Sequence, residues 1–343
     1  MKQIVVVGGR GFVGKAVCES LLKNPNFQVS VAGRHPEDKV HCDLTKPETF
    51  SNLKTFDYII NCADNFQASP LNLMKYALEN GLVMVECTAD PMTIKSAIDS
   101  FSSPETPYLG SVILGAGLFP GLSNILARDV VASLHTKPTA LKISIFISPL
   151  SQAGRSTCRL MAEHFCYQTL IIRKGKREIS ESLAPVSLNS SSRKHFTGLR
   201  LFFPEVVMMQ KSLQLDSIET FLVPMPGFLS PIIARLRKLL SSSIFKGINV
   251  WFLKFLRNTL LGGKTSDIEI LCIATGQNGE TKESYFRTDD GLNSIASGVH
   301  VLVNSLGGKN PSRGLIMPDE VVSSWSEIEP LYNLLSPRDQ KIR

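Results

Sequence analysis

The chain has 343 residues, too many for one small core, so two domains or one domain with a large insertion are expected. A composition 43% hydrophobic and 20% charged is that of a globular protein, and no apolar run reaches the roughly 20 residues a membrane-spanning helix needs. The net charge of +7 is carried by seven basic residues between positions 228 and 264, where no Asp or Glu occurs, which excludes a nucleic-acid-binding surface spread over the whole protein.

Taken in chain order, the first part alternates strands with helices. A β-branched run at 4–7 ends in glycines, and apolar residues at helical spacing follow over 14–23. Strands are predicted at 28–32, 39–42, 57–62, 82–86 and 111–114, with helices at 71–80, stopped by Gly81, and at 93–102. The opening residues lead into the first strand without a signal-peptide layout, so the mature protein is expected to start near residue 1 and to be cytoplasmic. The pattern predicts an α/β fold whose N-terminal part is a Rossmann domain with a doubly wound parallel sheet.

After about residue 125 the rhythm changes. Strands are expected at 141–148, within 198–209 and at 219–223, and a hairpin joins 267–274 to 283–287 around Gln277-Asn278-Gly279-Glu280. A helix is read over 154–170, a mobile Ser-rich loop over 183–194 and a helix over 289–306. The expected organisation is a dinucleotide-binding domain at 1–125, a second α+β domain on a mainly antiparallel sheet at 126–306, and a C-terminal segment at 307–343 that packs back on the first.

Gly9-Arg10-Gly11-Phe12-Val13-Gly14 fits GxGxxG between a strand and a helix, where the helix N-terminus offers N–H groups to a pyrophosphate. Gly8, Gly9, Gly11, Phe12, Val13 and Gly14 are therefore expected at the dinucleotide. An acidic residue at the end of the second strand would hold the ribose 2′-OH of NAD. Here Arg34 stands in that place, which suits the 2′-phosphate of NADP. Glu37 and Asp38 follow closely and keep NAD open; Asp43 is read either as an adenine contact or as a helix cap before Pro47. Seven cysteines, at 18, 42, 62, 87, 158, 166 and 272, form no CxxC pair, so neither a disulfide framework nor a metal site is expected, and a reducing cytosol fits.

With these motifs the chain resembles the saccharopine dehydrogenase-like family. The segment from Gly115 through Pro120-Gly121-Leu122-Ser123-Asn124 resembles that family's G-x-x-PG-L-S-N turn, Asp57-Tyr58-Ile59-Ile60-Asn61-Cys62-Ala63 its fourth strand, and Arg313-Gly314-Leu315-Ile316-Met317-Pro318-Asp319-Glu320-Val321 its closing motif. The resemblance implies NADP binding, with Asn61, Ala63, Gly117 and Pro120 beside the cofactor, and hydride transfer to or from an imine formed from an amine and an oxo acid. It also implies a small amino acid or oxo acid substrate, a homodimer, and a C-terminal helix packed on the first domain. Two departures stand out. Asp64-Asn65 replace a Gly-Pro found in many members, and Met84-Val85-Glu86 replace Tyr-x-Asp.

Imine reduction needs a group that binds a carboxylate and a group that moves a proton near neutral pH. Glu86 and Asp90 beside the crevice are acid–base candidates, Arg155 is a candidate carboxylate anchor, and His164 is a further candidate. The stretch 228–264 alternates apolar residues, Trp251 and Phe252 among them, with cations. It reads as one or two basic amphipathic helices, either lying on an anionic membrane surface or packed as a lid or subunit contact.

Overall fold

Ile4, Val5 and Val6 are stiff at χ1, have no polar side-chain atoms and are fully buried, which suits a strand covered on both faces. In the computed structural model, which describes residues 1–63, 68–102, 107–147, 163–242, 267–307 and 311–342, this run is the central strand β1 (Lys2–Val7) of a parallel sheet. The chain divides into two compact units, Met1–Ile125 with Leu292–Pro337, and Leu126–Gly291 with Arg338–Arg343.

The first unit holds β1, β2 (Phe27–Gly33), β3 (Val40–His41), β4 (Tyr58–Asn61), β5 (Val83–Glu86), β6 (Ser111–Leu114) and β15 (Gly314–Ile316). They lie in the order β15-β6-β5-β4-β1-β2-β3, every pair parallel. This is the 3-2-1-4-5-6 order of a dinucleotide-binding sheet with one strand added beside β6. Crossovers run through α1 (Phe12–Leu21), α2 (Leu71–Glu79) and α3 (Pro91–Phe101). Asn80 caps α2, and Gly81 follows in the left-handed region at φ +72°, as a helix stop requires.

Residues 292–306, expected with the second domain, belong to the first unit. The helix Gly291–Leu306 buries Val299, Val301, Leu302 and Val303 completely. Its Gly298 has room for no side chain, because a Cβ there would lie 2.5 Å from the Gly117 carbonyl oxygen. Tyr58 Oη donates to the Leu306 carbonyl at 3.2 Å, and Ser20 Oγ lies 3.2 Å from His300 Nδ1. The helix Trp325–Leu335 buries Trp325, Ile328, Tyr332 and Leu335, one face at helical spacing.

The second unit is a mixed, mainly antiparallel sheet in the order β10-β11-β12-β7-β13-β14-β16. Its strands are β7 (Pro138–Ile147), β8 (Thr169–Arg173), β9 (Lys176–Ser180), β10 (Pro185–Ser190), β11 (Lys194–Arg200), β12 (Ser217–Pro224), β13 (Ile268–Gly276), β14 (Thr281–Thr288) and β16 (Gln340–Ile342). Among the described residues of this unit only β12 and β7 pair in parallel. One edge of β12 is shared, with β11 on Phe221 and Leu222 and β8 on Ser217 and Ile218. The hairpin expected around Asn278-Gly279 is β13–β14, with Gly279 at φ +83°.

Three expectations for this unit are corrected. Thr169 and Leu170, read as the end of a helix, begin β8, where a β-branched run turns back through Lys174 and Gly175, both at positive φ, into β9. The Ser-rich stretch read as a mobile loop contains β10, paired along its length with β11; Leu188 points inward, and Ser190 and Ser191 bond to the Glu283 carboxylate. Within 198–209, parts of which were expected as strand, residues 198–200 end β11 while 205–209 start the helix Glu205–Leu213. A continuous apolar run such as Val206-Val207-Met208-Met209, fully buried here, has no period by which to choose.

Candidate dinucleotide site

The β1–α1 turn is built so that only glycine fits at its crossings. A Cβ on Gly14 would lie 2.2 Å from the Gly8 carbonyl oxygen, and one on Gly8 would lie 2.8 Å from the Ala63 backbone. Gly8 is also at φ +74° and donates from its N–H to Ala32. The turn is thus pressed between the ends of β2 and β4, at the point where strand order reverses and ligands of such sheets bind. Gly9 is buried against Val31 and Cys18. Gly11 is the N-cap of α1, exposed, with no side-chain cap on the first-turn N–H groups, and Phe12 beside it is 53% exposed. Val13 is half-buried. An exposed helix N-terminus lined by glycine backbone is a cradle for an anion.

At the end of β2 the structure brings together residues that the sequence left apart. Arg10, inside the glycine turn, binds Asp38 at 2.6 Å from Nε to Oδ1 and Glu37 at 3.4 Å. The Asp38 carboxylate is folded under Gly33, where a Cβ would lie 2.5 Å from Oδ2, and it also accepts from the His35 N–H at 3.0 Å. Arg34 is exposed, and its charge is felt by Asp43. The Asp43 carboxyl is held below its ordinary pKa, chiefly by the Thr45 N–H that it accepts at 3.0 Å. It does not cap the following 3₁₀ helix, whose N-cap is Lys46; it closes the turn before it. The Arg10–Asp38 pair was missed because the two lie 28 positions apart, one on each side of β2.

Asn61 and Glu86 end neighbouring strands at paired register. Asn61 Nδ2 donates to Glu86 Oε2 at 2.7 Å, and Thr88 N–H donates to Oε1 at 2.8 Å. Glu86 is 1% exposed, and burial pushes its carboxyl up to about 7 against these hydrogen bonds. Asn61 Oδ1 in turn accepts from the Ala63 N–H at 3.3 Å, which sets the backbone that Gly8 packs on. Glu86 thus stands buried at the paired ends of β4 and β5, both carboxylate oxygens held by the fold. Asp90, the other acid–base candidate, caps α3; its Oδ2 accepts from the Thr93 N–H at 2.9 Å and hydroxyl at 2.6 Å. Cys62 and Cys87 stand one residue beyond Asn61 and Glu86, and the Cys87 thiol is raised first by its hydrogen bond to Cys62 and then by burial.

The turn after β6 is buried except at the half-buried Phe119. Gly117 and Pro120 are buried, Gly121 is at φ +128°, and its N–H donates to Asn124 Oδ1 at 3.0 Å. Ala116 N–H reaches the Glu86 carbonyl at 2.7 Å, so this turn is tied to the end of β5. Asn124 serves the turn itself.

Arg155 and the departure at Asp64-Asn65 lie outside the described residues. His164 is buried in the second unit between the rings of Tyr167 and Phe203, with centroids 5.8 and 6.3 Å away. In the same unit, Arg193 pairs with buried Glu269 and lies 4.6 Å from the Phe146 ring centroid. That cation was passed over because it sits in the stretch read as loop. Among the described residues no cluster of His, Cys, Asp and Glu could hold a metal ion, and no helix is long and apolar enough to cross a membrane.

Comparison with known proteins bears on this arrangement. Residues 4–86 match the NAD dependent epimerase/dehydratase family, which covers the strands and turns just described up to Glu86. No curated protein sequence matches. Among solved structures, apo saccharopine dehydrogenase (L-Glu forming) from Saccharomyces cerevisiae superposes with a TM-score of 0.64 at 12% identity, covering 100% of both chains. The chain shares the fold of saccharopine dehydrogenase. C. glutamicum DAP dehydrogenase in complex with DAP follows at a TM-score of 0.47 and 12% identity, covering 98% of this chain and 96% of that one.

Proposed function

We propose that the chain is an NADP-linked oxidoreductase acting on the C–N bond of an imine formed from an amino acid or oxo acid. The observation that carries this reading is the β1–α1 turn. Glycine is required at Gly8 and Gly14, and an uncapped helix N-terminus is exposed at Gly11, the fit that a pyrophosphate needs. Gly11, Phe12 and Val13 would hold the diphosphate, and Ala63 would border it. When bound, such a cofactor supplies or takes up a hydride.

NADP is favoured over NAD by the chemistry at the end of β2. The acid that would accept from a ribose 2′-OH, Asp38, is committed to Arg10 and to the His35 N–H. Arg34 would then face a 2′-phosphate, which a guanidinium binds with charge and a two-pronged donor set. NAD remains the second cofactor to test. A homodimer belongs to this reading and is checked by light scattering.

One observation favours a second reading, a non-catalytic dinucleotide-binding protein: Glu86, Asp90 and His164 are engaged in the fold. A screen of amino acids and oxo acids with ammonia or amines, followed by NADPH absorbance, separates the two. Turnover supports the oxidoreductase. Nucleotide binding without turnover of any member supports the second reading.

A further inference from the structure

The helix Leu229–Leu240 in the second unit turns a row of large apolar side chains outward. Its inward face carries Ser230 and Ala234, both buried, with Leu229, Ile233 and Leu240 half-buried beside them. Four further large apolar residues face out: Phe228, just before the helix, is 65% exposed, Ile232 50%, Leu236 46% and Leu239 46%. Steps of four, four and three residues put these four on one face, with Arg235 and Lys238 along one flank. On the far side Arg237 is tied to Glu181, Nη2 to Oε2 at 3.0 Å, which anchors the helix to the unit.

We propose that this outward face docks on an anionic lipid bilayer. Charge decides between the occupants an apolar stripe could take. A second copy seated on the stripe by a two-fold axis would set Arg235 and Lys238 against the same cations, since residues 228–264 contain no Asp or Glu. The following part of the chain brings the same conflict, with Lys246, Lys254, Arg257 and Lys264 and no acid. A membrane interface offers acyl chains to Phe228, Ile232, Leu236 and Leu239 and acidic headgroups to Arg235 and Lys238 at once.

The test is sedimentation of the full chain with vesicles of phosphatidylcholine, with and without phosphatidylserine. The protein is expected to pellet with the mixed vesicles at low salt and to be released toward 1 M salt, as the Debye length falls from about 10 Å at 0.1 M to about 3 Å. R235A/K238A should lower the partition coefficient roughly 30-fold, since each cation near such a surface contributes roughly fivefold. I232S/L236S should lower it at least roughly tenfold, and circular dichroism and thermal midpoints should stay nearly unchanged, because Ile232 and Leu236 are already 50% and 46% exposed. Protein that stays in the supernatant with the mixed vesicles at low salt overturns the proposal. So does I232S/L236S protein that pellets like the parent while its mass in light scattering falls, which assigns the stripe to a second copy.

Discussion

Asn61 and Glu86 end adjacent parallel strands and are joined by a 2.7 Å hydrogen bond from Nδ2 to Oε2, with Glu86 fully enclosed. A carboxyl there is pulled two ways. Three N–H donors, from Asn61, Thr88 and Cys87, favour the ion, while loss of water favours the acid and wins, giving a pKa of about 7.

The consequence is a stability that depends on pH. Between the ordinary value of 4.5 and about 7, the folded protein holds a proton that the unfolded chain has released, so stability falls as pH rises through this window and levels off above it. The change amounts to about 3 kcal/mol at ~1.4 kcal/mol for each pH unit. Glu86→Gln should abolish that slope in denaturant titrations run from pH 4.5 to 7.5. It should also cost about 1 to 3 kcal/mol at low pH, because one face of the amide presents N–H to a donor. An unchanged slope would locate the titration elsewhere.

His300 gives a window of the opposite sense. Burial holds its imidazole below the ordinary pKa of 6.5. The unfolded chain therefore takes up the proton first as pH falls below 6.5, and stability is lost on the acid side. His300→Gln, which can still bond Ser20 Oγ, should flatten the fall between pH 6.5 and 5. A fall of undiminished size in the variant would contradict this assignment.

The glycines of the β1–α1 turn divide by what a side chain would meet. Gly14→Ala places a Cβ 2.2 Å from the Gly8 carbonyl, so it should destabilise the first unit and lower the thermal midpoint. Gly11→Asp has ordinary backbone angles and occupies an N-cap position that favours Asp, so stability should stay within about 1 kcal/mol. Its carboxylate would still fill the anion cradle and repel a phosphate. Equal midpoints for the two variants would show that the turn is looser than its contacts indicate.

Cofactor choice is tested at Arg34. Arg34→Ala should weaken NADPH binding by about 1.5 to 3 kcal/mol, the range for a charge-assisted contact, and leave NADH nearly unchanged. Asp38→Ala should free Arg10 and weaken NADH no more than NADPH. Equal losses for both cofactors in Arg34→Ala would assign that arginine to the fold.

The parallel strands of the first unit and the glycine turn were legible because each rests on a local signal: a β-branched run, a glycine at a forced crossing, a helix at 3.6-residue spacing. The long-range pairs were not. Arg10 with Asp38 and Asn61 with Glu86 depend on which strand ends lie side by side, which no single segment encodes, although matching the last residues of β4 and β5 would have found the second pair. Glu86 and Asp90 were read as acid–base groups from their place beside the crevice. Burial against Asn61 and Thr88, and capping of α3 through Thr93, are properties of the packed chain. The β10 strand escaped because polar serines alternate with a single buried leucine, Leu188, and its partner strand supplies the rest.

The central claim is that the turn from Gly8 to Gly14 is a dinucleotide site tuned to a 2′-phosphate. Calorimetric titration of the intact chain with NADPH and with NADH, run beside Gly11→Asp, tests it most directly. The account predicts binding of both by the parent, NADPH tighter by roughly tenfold or more for one charge-assisted contact, and no heat from either with Gly11→Asp at unchanged stability. Absence of binding by the parent, or binding retained in Gly11→Asp, would contradict it.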